Sequence, residues 1–233
     1  MARGFFARGK SFLLVGGGRG GHNADVAKEI EVKYRLAHPR AFRETLRRAG
    51  AVFLGRAVIC DDYFDTRELA LLAGDSGLRL RRRRTLRPGP GVPAGEAGSQ
   101  LTYKGPADRR SRVKIRREIQ TRVEDPAALA QLLEALGFVP MVRIEKRRSS
   151  FRLGPCSVEV DELPLLGWFA EIEGPSPRAL AQAAAKLGLT GPGLRDHYVG
   201  LLTARCKRIS RSCRQVTLAH CRVCPHRPAR GRM

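Results

Sequence analysis

Charged and apolar residues alternate along most strand-like segments of this chain, and this alternation constrains the fold more than any other feature. In the first segment, one parity is charged and the other apolar: Glu29, Glu31, Lys33 and Arg35 against Ile30, Val32, Tyr34 and Leu36. Because successive side chains of a strand point to opposite faces, such a segment has one charged and one apolar face. Charges of both signs recur in the other segments.

The segments predict a barrel with helices around it. Strand patterns occupy eight ranges, at about 28–36, 57–66, 77–86, 99–106, 112–124, 142–153, 155–162 and 168–174. Amphipathic helices are predicted at 39–49, 126–136 and 176–188, and a last short helix at 196–203. Many short strands with few helices favour an antiparallel sheet or barrel. We therefore predict an α+β fold, an eight-stranded antiparallel closed β-barrel with helices packed outside and the charged faces lining a tunnel.

The charge distribution divides the chain into three parts. The formal net charge is +22, but residues 29–203 hold 30 bases against 21 acids, whereas residues 204–233 hold nine bases and no acid. We expect a flexible leader at 1–27, absent from the native protein if translation starts at Val26. The domain is expected at 28–203 and a disordered basic tail at 204–233. The tails are expected to bind nucleic acid only nonspecifically.

The cysteines and the apolar runs bear on the compartment. Four of the six cysteines lie in the tail, where the spacing of Cys221, Cys224 and His226 is a weak indication of a zinc site. The tail has too few apolar residues for a core, so we expect it to be disordered instead of binding zinc. Cys60 and Cys156 are predicted to be free thiols in a reducing compartment. No apolar run approaches the roughly 18–20 residues of a membrane span. We therefore expect a cytoplasmic protein that does not associate with membranes.

The charges on the inward parity are segregated by sign. Bases dominate segments three to six, whose charged parity is Arg79, Arg81, Arg83, Lys104, Lys114, Arg116, Glu118, Lys146 and Arg148. Acids dominate segments one, seven and eight, with Glu29, Glu31, Glu159, Asp161, Glu171 and Glu173. Closure of the barrel would make the first and eighth strands neighbours. A carboxylate wall suits Mg²⁺ or Mn²⁺, and a facing Lys/Arg wall suits a polyanion, so the pattern predicts a nucleoside or inorganic triphosphate site.

An ordered set of motifs carries a family resemblance. The motifs are Glu29-Ile30-Glu31-Val32-Lys33, Tyr63-Phe64-Asp65-Thr66, Leu78-Arg79-Leu80-Arg81, Thr102-Tyr103-Lys104-Gly105-Pro106, Lys146-Arg147-Arg148 and Glu171-Ile172-Glu173. The first resembles the E-x-E-x-K signature of the CYTH superfamily, the triphosphate tunnel metalloenzymes. Over about residues 28–203, the chain is most similar to the class IV adenylate cyclase branch.

The resemblance implies roles for particular residues. Metal ligands for one or two Mg²⁺ or Mn²⁺ ions would be Glu29, Glu31, Asp161, Glu171 and Glu173. The triphosphate would be bound by Lys33, Arg79, Arg81, Lys104, Lys146 and Arg148. Catalytic roles would fall to Lys33, Glu118 and Arg148. The resemblance also suggests a homodimer.

Three functions remain open from the sequence. The first is conversion of ATP to cyclic AMP and pyrophosphate, and the second is hydrolysis of thiamine triphosphate or inorganic tripolyphosphate. The third is noncatalytic binding of polyphosphate or RNA. Some residues have interpretations that do not involve a site. Arg82 and Arg84 have the outward parity and are expected on the surface, and Asp65 can cap a turn. Trp168 and Phe169 are expected to pack against other side chains, not to stack on an adenine ring.

Overall fold

The computed structural model describes residues 25–90, 98–208 and 215–218. The strands are β1 (Asp25–Leu36), β2 (Val52–Asp65), β3 (Gly77–Pro88), β4 (Gly98–Ala107), β5 (Lys114–Val123), β6 (Val139–Leu153), β7 (Cys156–Leu163), β8 (Gly167–Glu173) and β9 (Gln215–Val216). The helices are α1 (Pro39–Arg48), α2 (Ala70–Ala73), α3 (Pro126–Ala135), α4 (Pro177–Lys186) and α5 (Tyr198–Arg208).

Eight antiparallel strands form a closed barrel, as predicted. They pair in the order β2-β3-β4-β5-β1-β8-β7-β6, and the pairing of β2 with β6 closes the ring. β1 lies between β5 and β8, and the chain reaches β2 through α1. The predicted neighbourhood of the first and eighth strands is therefore confirmed.

The helices lie outside the barrel and cover its apolar faces. The largest apolar cluster joins α1 and α4 to the outward faces of β1, β7 and β8, through residues such as Phe42, Leu46, Val158, Ile172 and Leu180. Smaller clusters lie beneath α5 and α3. Because the apolar parity is buried outside the ring, the charged parity faces the interior.

Local sequence signals account for the helix ends and for one turn. Asp125 accepts hydrogen bonds from two backbone N–H groups of the first turn of α3, and Ser176 accepts one at the start of α4. The Asp65 carboxylate accepts hydrogen bonds from the backbone N–H groups of Thr66, Leu71 and Leu72. The prediction that Asp65 caps the turn after β2 is thus confirmed.

The C-terminal boundary differs from the prediction. The predicted last helix at 196–203 is α5, which continues to Arg208, so the boundary expected at 203 falls inside a helix. The two residues of β9 pair in parallel with β6 at Arg143 and Ile144, on the same edge as β7 but beyond the residues that β7 pairs with. The sequence did not reveal the extension at 204–208, because its composition is as basic as that of the tail that follows it.

Other sequence predictions have mixed outcomes. Cys60 and Cys156 are free, as expected. The leader up to residue 24 and the Cys221, Cys224 and His226 pattern lie outside the described residues. Within the described ranges, none of the helices combines the length and the apolar character needed to cross a membrane.

Candidate active site: the charged tunnel

The barrel encloses a cavity of about 1590 Å³ with a charged lining. The charged residues that were predicted to point inward line this cavity, except Arg35 and Asp161. Arg35 does not, because it lies at the exposed end of β1 and donates to the Leu166 carbonyl oxygen, 2.6 Å away. Asp161 is fully buried in the wall behind the lining.

The pairing of β1 with β8 brings the predicted acidic strands together. Glu31 is opposite Glu173 and Lys33 is opposite Glu171. Lys33 Nζ lies 3.1 Å from Glu171 Oε1. Burial alone would raise the pKa of Glu31, but Lys114 and Lys33 outweigh it and lower that pKa to about 2. Glu31 and Glu171 therefore both face the cavity as carboxylates.

The two charge signs interleave instead of forming separate walls. Five ion pairs at 2.5–3.1 Å join Glu29 with Lys104, Glu31 with Lys114, Glu118 with Lys104, and Glu171 with Lys33 and with Arg148. Three of them link residues directly opposite each other on adjacent strands, because the pairing register sets Lys114 beside Glu31, Lys104 beside Glu118 and Lys33 beside Glu171. Buried like charges without such partners would be destabilising. The expected acidic and basic walls are thus already neutralised over most of their length.

Asp161 lies in the most enclosed of these ion-pair groups. Its carboxylate accepts from Lys146 Nζ at 3.0 Å, from Arg148 at 2.6 and 2.7 Å, and from the Tyr198 hydroxyl at 3.1 Å. Burial, with Arg148 next, lowers the pKa of Lys146 to about 8. Asp161 is placed to hold Lys146 and Arg148, and its assignment as a metal ligand stays a prediction.

Negative charge is in surplus at one place in the tunnel, around Glu29 and Glu173. Lys104 is shared between Glu29 and Glu118, and Glu29 Oε2 is buried with no hydrogen-bond partner within the ranges that the structure describes. Glu173 has no ion pair with any described residue. Burial, followed by repulsion from Glu29 and Glu118, raises the pKa of Glu173 to about 8.

This carboxylate group fits a divalent cation in its donor chemistry. Oxygen ligands with excess negative charge suit Mg²⁺ or Mn²⁺, and Glu29 Oε2 could coordinate such a cation through its lone pairs. Among the described residues, no three Asp, Glu, His or Cys side chains already converge closely enough to hold an ion. Binding would therefore require side-chain movements, with Glu29 and Glu173 as the carboxylates in surplus and Glu31 as a further donor if it leaves Lys114, 2.8 Å away.

The surplus charge predicts an unusual effect of Glu173→Gln. The folded protein keeps the Glu173 proton up to a pKa of about 8, whereas the unfolded chain releases it near 4.5, so this carboxyl group lowers the free energy of unfolding progressively as pH rises between these values. Without metal at pH 8, the variant should therefore be more stable than the unmodified protein, by on the order of 2 kcal/mol. Urea unfolding in EDTA measures this.

Manganese should reverse the comparison. If Glu173 is a ligand, Mn²⁺ stabilises the unmodified protein more than the variant, since binding to the folded state adds to its stability. Glu134→Gln, on the exposed face of α3, is the control and should change neither value. If Glu173→Gln is less stable than the unmodified protein in EDTA, negative charge is not in surplus around Glu173.

Asp61 is buried in the tunnel wall, behind the residues that line the cavity, although the sequence did not single it out. It is 2% exposed and accepts two hydrogen bonds from Arg81, at 2.6 and 2.8 Å, with Arg79 4.0 Å away. Arg81 and Arg79 outweigh burial and lower the pKa of Asp61. Adjacent Asp61 and Asp62 obscured the alternation in β2, but the inward parity of its neighbours Ile59 and Tyr63 could have revealed Asp61.

The segment leading into α5 also supplies residues that sequence reasoning missed. The Tyr198 ring lies under two predicted phosphate ligands, with Lys33 Nζ 4.2 Å and Lys146 Nζ 4.7 Å from its centroid. His197 contacts Lys114 and Arg116 of β5. Only the closed fold brings this C-terminal segment to the barrel, so no local pattern in the sequence predicts these contacts.

The outward parity behaves as predicted. Arg82 and Arg143 pair with Asp62 on the outer wall, and Arg84 is exposed. Trp168 stacks against Arg43 of α1, outside the cavity, and Phe169 packs edge-on against Tyr198. The expectation that these two aromatic residues pack is confirmed.

An eight-stranded barrel with opposed charges in its bore defines a tunnel protein, and comparison with known proteins identifies the class. The CYTH domain model matches residues 27–192. The chain belongs to the CYTH family.

Individual relatives agree with this assignment. Adenylate cyclase CyaB of Aeromonas hydrophila is 36% identical over 147 residues, 62% of this chain and 67% of the relative. The PH1012 protein of Pyrococcus horikoshii has a TM-score of 0.61 at 25% identity, covering 74% of this chain and 98% of that one. A Hippeastrum protein, described as a candidate adenylyl cyclase with dominant triphosphatase activity, shares the fold, with a TM-score of 0.57, 18% identity and coverage of 76% and 95%.

Proposed function

We propose that the protein is a divalent-metal-dependent enzyme that converts ATP to cyclic AMP and pyrophosphate. One observation carries the proposal: the tunnel combines carboxylates with surplus negative charge and a dense set of Lys and Arg side chains around one cavity. A polyanion that carries its own divalent cations complements both parts. The relation to an adenylate cyclase at 36% identity supports the same reaction class.

The residues divide the work by charge. Glu29, Glu31 and Glu173 would hold the metal, with Glu171 and Asp161 as further candidate ligands. Bound there, the metal would neutralise charge developing on the phosphate oxygens. The triphosphate would displace carboxylates from Lys33, Arg79, Arg81, Lys104, Lys146 and Arg148, which already project into or against the cavity. Glu118 would keep Lys104 oriented, 3.0 Å away.

An apolar part of the cavity supports a nucleoside over an inorganic substrate. Met141 and Val142 of β6 and Val199 of α5 line the cavity. Val142 and Val199 also pack on the apolar cluster beneath α5. A triphosphate chain gains nothing from these side chains, whereas a nucleobase can bury apolar surface against them.

Triphosphate hydrolysis, of thiamine triphosphate or inorganic tripolyphosphate, is the second candidate. The same cations would stabilise the leaving group, with water instead of the ribose 3′-oxygen as nucleophile. The Hippeastrum protein, which has the same fold, is described as having a dominant triphosphatase activity, and this supports hydrolysis as a second candidate.

Product analysis separates the candidates. The protein is incubated with ATP and Mn²⁺, and separately with tripolyphosphate and Mn²⁺, and products are separated by ion-exchange chromatography. Cyclic AMP with pyrophosphate supports cyclisation, and orthophosphate from tripolyphosphate supports hydrolysis. No product from either, with tight salt-sensitive RNA binding, would indicate a binding protein and overturn the proposal.

A further inference from the structure

A cluster of three nitrogen-bearing side chains lines the cavity where α5 begins, outside the predicted triphosphate ligands. Lys114 Nζ lies 2.8 Å from His197 Nδ1, and Arg116 Nη2 lies 3.1 Å from His197 Nε2. The two cations are buried, with only 1% of the Arg116 side chain exposed, whereas 40% of the His197 side chain is exposed.

The hydrogen bonds of this cluster cannot all be satisfied. A neutral imidazole accepts a hydrogen bond at one nitrogen only, whereas Lys and Arg side chains only donate. One of the two cations that contact His197 therefore lacks an acceptor there. Lys114 also donates to Glu31 Oε1 at 2.8 Å, so the shortage falls on Arg116. Among the described residues, the buried Nε of Arg116 has no hydrogen-bond partner, and the carboxylate that pairs with its guanidinium, Asp75, is 3.8 Å away. The cluster is therefore one acceptor oxygen short, at Arg116.

The charges around His197 explain why the ring is neutral in the free protein. The groups that face it are Lys114 and Arg116 of β5, Lys33 and Glu31 of β1, and Asp75 before β3. In its own segment, the Arg195 guanidinium donates to backbone oxygens of residues 108 and 111, and Asp196 is exposed. Burial, then Lys114, Arg116 and Lys33, lower the pKa of His197 to about 3.

We propose that a phosphate group of the substrate enters this cluster beside Lys114 and Arg116, and that His197 takes up a proton from solvent as it does. The inference rests on the proposed function, because it assumes that the tunnel binds a triphosphate. A phosphate oxygen supplies the missing acceptor, and its charge offsets the two cations that hold the ring neutral. The protonated ring can then donate to a phosphate oxygen and to Asp75, whose Oδ1 lies 3.7 Å from His197 Nε2, while the two cations turn to the phosphate. Phosphate binding and protonation therefore stabilise each other.

The sign of the pH dependence follows from this coupling. If phosphate raises the pKa of His197, binding is tightest at low pH and weakens as pH rises through the pKa of the complex. One coupled proton corresponds to a loss of affinity of up to tenfold per pH unit. A neutral side chain at position 197 removes this contribution and leaves only the titration of the phosphate itself.

Calorimetry with tripolyphosphate in EDTA tests the proposal without turnover. The full chain is titrated at several pH values in pairs of buffers with different ionisation heats, which gives the number of protons taken up. We expect the unmodified protein to take up more protons than His197→Asn, by up to one, and to show the steeper loss of affinity. His38→Asn is the matched control, an exposed histidine before α1, and should behave as the unmodified protein.

A second measurement uses only the unmodified protein, so it tests the inference even if His197→Asn does not fold. The ring proton signal of His197, followed by NMR in the unmodified protein, should not titrate between pH 5 and 8 until tripolyphosphate is added. Tripolyphosphate binding with equal proton uptake in both proteins, or a ring signal that tripolyphosphate leaves unchanged, would overturn the inference and leave the proposed function intact. Absence of any tripolyphosphate binding would also overturn the inference, whereas the proposed function is tested separately by the products formed from ATP with Mn²⁺.

Discussion

Replacing Glu31 or Glu171 by Gln should lower metal-dependent turnover by about 10²- to 10³-fold, the loss typical of one electrostatic contact to a transition state. Both carboxylates line the cavity, on the paired strands β1 and β8. Gln keeps the size of the side chain and removes its charge, so metal affinity and the orientation of Lys33 both suffer. Initial rates with ATP and Mn²⁺ measure the effect.

The fold should survive these two substitutions. Lys114 keeps its contact with His197 when Glu31 is neutral, and Lys33 keeps its contact with the Asp196 carbonyl oxygen when Glu171 is neutral. Glu44→Gln is the matched control, because Glu44 is exposed and pairs with Arg47 and Arg48 of the same helix, away from the tunnel. Full activity of both tunnel variants would show that these carboxylates do not form the site.

Asp161→Asn should have the largest effect on stability, lowering the free energy of unfolding by about 3–5 kcal/mol. Asp161 is fully buried and holds Lys146, Arg148 and Tyr198 together. An amide has a single acceptor oxygen and no charge, so it would leave two buried cations without their main counter-charge. Urea unfolding monitored by circular dichroism gives the difference.

Asp62→Asn provides the contrast for that measurement. Asp62 lies on the outer wall, and its partners Arg82 and Arg143 have side chains 36% and 42% exposed. Solvent screening limits the expected loss to about 1 kcal/mol or less. Equal losses in the two variants would mean that water screens the Asp161 ion pairs as effectively as the outer ones.

The extent of sequence prediction varied between elements for physical reasons. β1 was predictable because charged and apolar residues alternate strictly over 29–36, and the end of β8 because Glu171 and Glu173 flank Ile172, so the alternation identifies the buried face. β2 was harder, because Asp61 and Asp62 are adjacent, with one inside and one outside. The C-terminal part of α5 and β9 carried no distinguishing composition, so their positions depend on contacts with distant strands.

The sequence by itself determined the barrel, its charged interior and the family. Strand periodicity fixes which side chains share a face, and this holds whatever the neighbouring strand is. Only the tertiary structure decided which charges meet, because pairing register and side-chain reach set distances between residues far apart in the chain. Closure placed Lys104 between Glu29 and Glu118 and brought His197 to Lys114 and Arg116, and it left Glu173 without an ion pair to any residue that the structure describes.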